Sequence, residues 1–299
     1  MLVLNVEAGA RGKGPGCGGE LLDGTEQNGD LILLLNSGGG SWESGGSTIN
    51  KNLQIEGGWR LKSGEACSSS QTYTDTSKFE FVGPLTRSVA SEIDNGPVMT
   101  IDPSVLTLTI KHVILNQQGN VTQGGGIYGV ISNSAYILLE NLAFTNDAGS
   151  DVGAGGGLYL EVRGNSQVVI SGTQFLTNTT TQNTGGGFEI HIFDGSRVTF
   201  YNTEVRGNRS FNGNGGGGRV VIHQGTVSFI GGVFADNFAN QGRGGGLAVE
   251  ATGGGPAYLI LQNPSFSGNT ASFGSPDLYT TGPLTILDKS IFLPIVRKK

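Results

Sequence analysis

The sequence predicts an all-β protein, a right-handed parallel β-helix whose coils are ~30 residues long and whose two ends carry caps. Three observations predict it. Triple-glycine runs open at Gly124, Gly155, Gly185, Gly215 and Gly244, at intervals of 31, 30, 30 and 29 residues, and a period held that closely marks a stacked repeat. A second marker follows each run at a fixed distance: Phe144 to Asp147, Phe175 to Asn178, Val205 to Asn208, Phe234 to Asn237 and Phe266 to Asn269. Between the markers the residues alternate with period two, the pattern of strands and not of helices.

Taken in chain order, residues 1–28 read as an N-terminal cap, and the solenoid spans 29–285. "GDLILLL" (29–35) is the first strand of an early coil, and "STINKNLQIEGGW" places Asn52 at a corner with Leu53 and Ile55 after it. Leu108, Ile110, Val113 and Leu115 continue the apolar ladder, with His112 at the corner. In the regular coils a first strand follows the glycines. Phe188, Ile190 and Ile192 take its inner face and Glu189 and His191 its outer face, matched by Leu158, Leu160 and Val162 and by Leu247, Val249 and Ala251. The second strand aligns Ile137 and Leu139 with Val168 and Ile170, Val198 and Phe200, Val227 and Phe229, and Leu259 and Leu261.

A corner comes next. Its column reads Asn141, Gly172, Asn202, Gly231, Asn263, the two residue types that take a left-handed backbone most cheaply. The Phe or Val of the second marker then points inward from a third short strand, so three strands and three corners make one coil. About six inward side chains per coil, each contributing roughly 1.5–3 kcal/mol as an upper estimate, can be buried only by stacking. Glycine before the first strand permits positive φ and close approach of the polar loop to the neighbouring coil. Residues 286–299, ending "IFLPIVRKK", read as a C-terminal cap or tail in which Pro and charge deter strand pairing at the edge.

Composition removes several function classes. Glycine is 53 of 299 residues but proline only 9, which with the alternating pattern excludes collagen and a disordered linker. Charged residues are 14% and the formal net charge is −6, with no basic run outside Arg297, Lys298 and Lys299, so nucleic acid is not an expected partner. No stretch approaches the ~20 apolar residues of a membrane-spanning helix. "MLVLNV" is too short for a signal-peptide core, so an export leader is not expected within this sequence.

The paired GGG-aliphatic and Phe-x-x-Asn markers resemble the repeats of the chlamydial polymorphic outer-membrane proteins and of bacterial secreted right-handed β-helix proteins, over about residues 29–280. The resemblance implies secretion or display at the cell surface, and an extracellular glycan or a host or cell-surface protein as partner. The membrane barrel of that family has no counterpart in these residues, so anchoring through one does not carry over. Cys17 and Cys67 flank the first coil in Gly/Ser/Lys-rich segments that read as exposed. A disulfide between them, tying the cap to the loop after "GGWRLKSGEAC", is favoured over two buried thiols and fits an exported protein.

Chemistry is harder to find. Pectate lyases and polygalacturonases, which share this fold, need clustered carboxylates and a basic residue, and none of the polygalacturonase elements occurs. No calcium-binding nonapeptide, nucleophile triad or phosphate loop is present. A lone Asp in a polar loop (Asp147, Asp151, Asp236) makes no metal site, so no metal or cofactor is expected. Asn-x-Ser/Thr occurs at Asn120, Asn178 and Asn208, as Asn- and Thr-rich loops produce by chance. The outward column Leu138, Val169, Thr199, Ser228, Ile260 is not the regular threonine array of an ice-binding face.

One constellation remains. Stacking the outward positions of the first strand brings together Tyr159, Glu161 and Arg163, then Glu189 and His191, then Arg219, Val221 and His223. These could bind or cleave an acidic glycan, with His191 or Tyr159 as base and Arg219 on the substrate carboxylate. They also make a solvated ladder in which Glu161/His191 and Glu189/Arg219 are weak cross-strand pairs, and that reading is preferred. The sequence therefore points to a monomeric, secreted or surface-displayed β-helix with an adhesion or structural display role, and second to a polysaccharide lyase or glycoside hydrolase acting on the first-strand face.

Overall fold

The computed structural model describes residues 3–6, 27–35, 42–43, 47–61, 72–73, 79–81, 88–91, 96–117, 121–146, 152–181 and 184–288. Among them every regular element is a strand, and the strands of successive coils pair in parallel. The protein is a parallel β-solenoid. One coil runs through Leu158–Val162, Gln167–Ser171, Gln174–Leu176 and Thr179–Thr180, and the next begins at Phe188–Ile192. The first-strand sheet extends from Ser47–Ile49 to Leu278–Thr281, and the third-strand sheet from Trp42–Glu43 to Ser265–Ser267. The second-strand sheet is the longest, and Asp30–Leu35 lies in it, paired with Leu53–Leu61.

Three features differ from the sequence reading or lay outside it. The regular coils hold a short fourth strand: Val121–Gln123 pairs with Val152–Ala154, and the two-residue strands Thr179–Thr180, Arg209–Ser210, Phe238–Ala239 and Thr270–Ala271 form a sheet of their own. Near the N-terminal end Phe79–Phe81 pairs antiparallel with Trp59–Leu61, and Thr72–Tyr73 pairs antiparallel with Val3–Val6. Val3–Val6 itself pairs in parallel with Leu31–Leu34, so part of the cap continues the second sheet; at the other end the strand Leu284–Asp288 crosses position 285. Cys17, Cys67, Asn120, Asp147, Asp151 and residues 289–299 lie outside the described residues.

The core is the set of inward ladders. Leu158, Leu160, Val162, Val168, Ile170 and Phe175 of a single coil are all at most 1% exposed, the six side chains per coil expected. Their register partners are apolar too: Val168 aligns with Val198, and Ile170 with Phe200. The marker column Phe144, Phe175, Val205, Phe234 is buried throughout, with Phe144 and Phe175 stacked at 4.8 Å between ring centroids. Parallel pairing holds the coils in register because a one-residue slip would turn every ladder outward.

The corner column behaves as read. Asn141, Gly172, Asn202, Gly231 and Asn263 have φ of 52°, 56°, 46°, 64° and 54°, and His112 sits at the equivalent corner with φ 56°. The glycine runs divide two requirements between neighbouring positions. Gly185 needs its positive φ of 68°, whereas Gly186 needs the missing side chain: a Cβ there would lie 2.1 Å from the carbonyl oxygen of Gly216. Loop backbone thus stacks on loop backbone, with Gly186 N donating to Gly215 O at 3.0 Å.

The asparagines of the second marker form a buried ladder. Asn208 Oδ1 accepts from the backbone N and the Nδ2 of Asn178, both at 2.9 Å, while Asn208 Nδ2 donates to Phe175 O and to Asn237 Oδ1. Asn237 repeats the pattern with Asn269. With Asn178 fully buried and Asn208 1% exposed, neither amide of these two Asn-x-Ser/Thr sites is open to glycosylation in the folded protein.

Candidate functional site on the first-strand face

Parallel register carries the outward residues of the first strand into columns. Tyr128, Tyr159, Glu189, Arg219 and Ala248 form one; Val130, Glu161, His191, Val221 and Glu250 form the next. Arg163, Phe193 and His223 follow just past the strand ends. All six residues singled out in the sequence, Tyr159, Glu161, Glu189, His191, Arg219 and His223, therefore share one face.

Side chains on this face are less exposed than a solvated ladder would leave them, because the loops before the glycines fold over it. Glu189 is 3% exposed and Glu250 8%. Thr184, from one such loop, donates its hydroxyl to Glu189 Oε2, and Asn214, from the next, donates Nδ2 to Glu250 Oε1 at 2.9 Å. Arg219 joins the two carboxylates. Its Nη1 donates to Glu189 Oε1 at 2.9 Å, and its Nε and Nη2 grip Glu250 at 3.1 and 2.7 Å in the two-point geometry guanidinium favours. His191 Nε2 is 2.9 Å from the same Glu189 oxygen.

Pairing differs from the sequence reading at one point. Glu189 and Arg219 pair as expected. Glu161 and His191 are register neighbours, but Glu161 bonds Arg163 just past the end of its own strand, with Arg163 Nε 3.1 Å from Oε2, and His191 bonds Glu189 on its own strand. Long side chains two residues apart on one strand reach each other as readily as those on adjacent strands, and the guanidinium outcompetes the imidazole for Glu161.

Burial alone would push the Glu189 carboxyl up, but the His191 hydrogen bond, the Arg219 charge and the Thr184 hydroxyl outweigh it and hold it below the usual carboxylate range. Glu250 is held low in the same way by Arg219 and Asn214, against its burial. Desolvation opposes the charge on Arg219, and the two carboxylates overcome it, so its proton is held more tightly than in free guanidinium. Tyr159 is pushed well up by burial and by the charges of Glu161 and Glu189, so it stays protonated and donates to Glu161 Oε1 at 3.5 Å. His223 is pushed down by burial and by the neighbouring His191 and Arg163.

A row of rings runs alongside. Tyr128 stacks on Tyr159 at 5.7 Å, Tyr159 meets His191 at 5.6 Å, and Phe193 lies flat against His223 at 4.1 Å. The Arg163 guanidinium caps the outer side of Phe193 at 4.5 Å, a cation on a ring face. Among the described residues no group of three or more His, Cys, Asp or Glu is placed to hold a metal ion, and no helix is long and apolar enough to cross a membrane.

The chain matches no protein-family model, no curated protein and no solved structure. The site is therefore defined by its own geometry. Sequence reasoning missed Thr184, Asn214, Phe193, Tyr128 and Glu250. Glu250 had a visible signal, since it falls in the column of Glu161 and His191; Thr184 and Asn214 had none, because nothing in a polar loop says which way it folds.

Proposed function

We propose that the protein is an extracellular or surface-displayed β-solenoid with an adhesion or structural display role, and that its first-strand face is the displayed surface. The observation that carries the reading is that the ionised side chains of the Glu/Arg cluster on this face satisfy one another. Arg219 is claimed by Glu189 and Glu250, and Arg163 by Glu161. Catalysis on an acidic glycan would want a guanidinium free to meet the substrate carboxylate. A rigid, internally paired surface with an ordered row of rings suits contact with a partner instead, because little side-chain freedom is left to lose on binding. The extracellular assignment rests on the repeat resemblance and on the low-charge, Gly/Asn/Thr-rich composition.

A second reading, lyase or hydrolase, is favoured by one feature, the carboxylate and imidazole of Glu189 and His191 at 2.9 Å. A glycan-array and cell-binding screen, run beside an absorbance assay for unsaturated uronate or reducing-end products on acidic polysaccharides, separates the two. Binding that weakens in Tyr128→Ala and Arg163→Ala, without product, supports display. Product formation abolished by His191→Ala would replace it with catalysis.

A further inference from the structure

The second-strand sheet carries, on its outer face, a feature the first-strand site does not use. A shallow groove of about 380 Å³ lies there, lined by Arg197, Thr199, Thr226, Ser228 and Tyr258, with Ile260 and Leu287 at its far end. Parallel register builds it. Gln167, Arg197, Thr226 and Tyr258 follow one another in one outward column, and Thr199, Ser228, Ile260 and Leu287 in the next. Arg197 and Tyr258 thus stand two strand spacings apart, ~9.6 Å, with Thr226 between them.

The chemistry of the lining is mixed in a specific way. Tyr258 is 38% exposed, so its ring is a wall against which another apolar surface can pack. Among the described residues Arg197 has no carboxylate within ion-pair distance, and the Thr199, Thr226 and Ser228 hydroxyls have no hydrogen-bond partner. Arg163, Arg206 and Arg219, by contrast, are each paired with a carboxylate. Hydroxyls both donate and accept, so this floor matches a ligand whose own groups are hydroxyls. The unpaired cation asks for an anion, in a chain whose net charge is −6.

From this we infer that the groove binds an anionic saccharide, with one sugar ring packed by its C–H face on Tyr258, a carboxylate or sulfate of the neighbouring sugar on Arg197, and ring hydroxyls on Thr199, Thr226 and Ser228. The site lies on a different sheet from the display surface and stands or falls independently of it.

Isothermal titration of the full chain tests this with a tetrasaccharide of alternating glucuronate and N-acetylglucosamine, the same tetrasaccharide with its carboxyls reduced to alcohols, and a sulfated, carboxyl-free tetrasaccharide. The charged sugars are expected to bind, and carboxyl reduction to weaken binding about tenfold, the loss of a charge-assisted hydrogen bond. Arg197→Ala should weaken the charged sugars by a similar factor and Tyr258→Ala should weaken all three, both with unchanged melting temperature because the two residues are exposed, while Arg163→Ala on the first-strand face leaves affinity unaltered. A response to only one of the charged sugars names the source of the anion. No heat with any of them at millimolar concentration, equal binding of the reduced sugar, unaltered affinity in Arg197→Ala, or tighter binding of an acidic hexapeptide than of the sugars would overturn the inference.

Discussion

Arg219 lies 2.9 Å from Glu189 Oε1 while gripping Glu250 two-fold, so a single guanidinium bridges two carboxylates that are each under a tenth exposed. Removing it strands both. Arg219→Ala is expected to lower the unfolding free energy by about 3 kcal/mol, the low end for a broken buried pair because the guanidinium is itself 20% exposed. Glu250→Gln should cost less, since an amide keeps one acceptor for Arg219 and leaves no unpaired charge. Urea denaturation measures both, and an Arg219→Ala cost no larger than that of Glu250→Gln would show that the cluster is solvated decoration.

The same cluster sets a pH dependence. Glu189 and Glu250 have folded values below the ordinary carboxylate value of 4.5. Between the two values the unfolded chain binds more protons, so their stabilisation is present above about pH 4.5 and is lost as pH falls through the folded values. His223 works in the same direction at higher pH. Its folded value lies below 6.5, so stability begins to fall as pH drops through that point. The melting temperature should therefore decline in two stages from pH 7 to pH 3, and His223→Gln should remove the first stage and keep the second.

Glycine positions should separate by what they do. At Gly186 a Cβ would overlap the Gly216 carbonyl at 2.1 Å, backbone against backbone, whereas at Gly195 it would meet nothing nearer than Asn165 Oδ1 at 4.0 Å and only the φ of 74° is at issue. Gly195→Ala is expected to cost about 1–2 kcal/mol, the ordinary penalty for a left-handed non-glycine residue. Gly186→Ala must push two coils apart and should cost more than 4 kcal/mol, in the range reserved for severe core defects. Soluble yield and urea midpoints compare them, and similar costs at the two sites would refute the close-approach account of the glycine runs.

What could be read from the sequence was what repeats. The corner column, the inward ladders and the outward columns each recur five times, so a pattern of residue types fixed their faces, down to the six buried side chains of one coil. The two-residue fourth strands were not legible because two residues show no period. The Phe-x-x-Asn marker was legible as a marker, but its asparagine was not read as buried; a polar residue kept at fixed spacing beside an invariably inward Phe or Val was the available signal. On the first-strand face the residues were placed correctly and so was the Glu189/Arg219 pair, but Glu161 and His191 each took a partner on their own coil. Register decides which columns form, whereas the choice between a partner on the same strand and one on the next depends on side-chain reach and on which loop lies above.

The asparagine ladder gives a last expectation. Asn208 accepts two hydrogen bonds from Asn178 and donates to Phe175 O and Asn237 Oδ1, all in the interior. Asn208→Ala leaves the Asn178 backbone N–H buried without its acceptor, at ~1–3 kcal/mol, and removes the side-chain bonds to Asn178 Nδ2, Phe175 O and Asn237 Oδ1, at about 0.5–1 kcal/mol each, for a total of about 3–4 kcal/mol. Asn208→Asp keeps the acceptor that Asn178 needs, but it loses the donor and sets a carboxylate against the Asn237 oxygen. Protonating that carboxyl restores a donor, so its folded value should be raised, and the deficit relative to wild type should shrink as pH falls through it. Because a solenoid is stabilised coil by coil, the damage should concentrate where the ladder is cut. Hydrogen exchange is expected to accelerate most in the strands from Gln174–Leu176 to Val233–Ala235 and least at Met99–Ile101. Uniform acceleration along the chain would mean that the ladder stabilises the protein globally and that the coils do not unfold as neighbours.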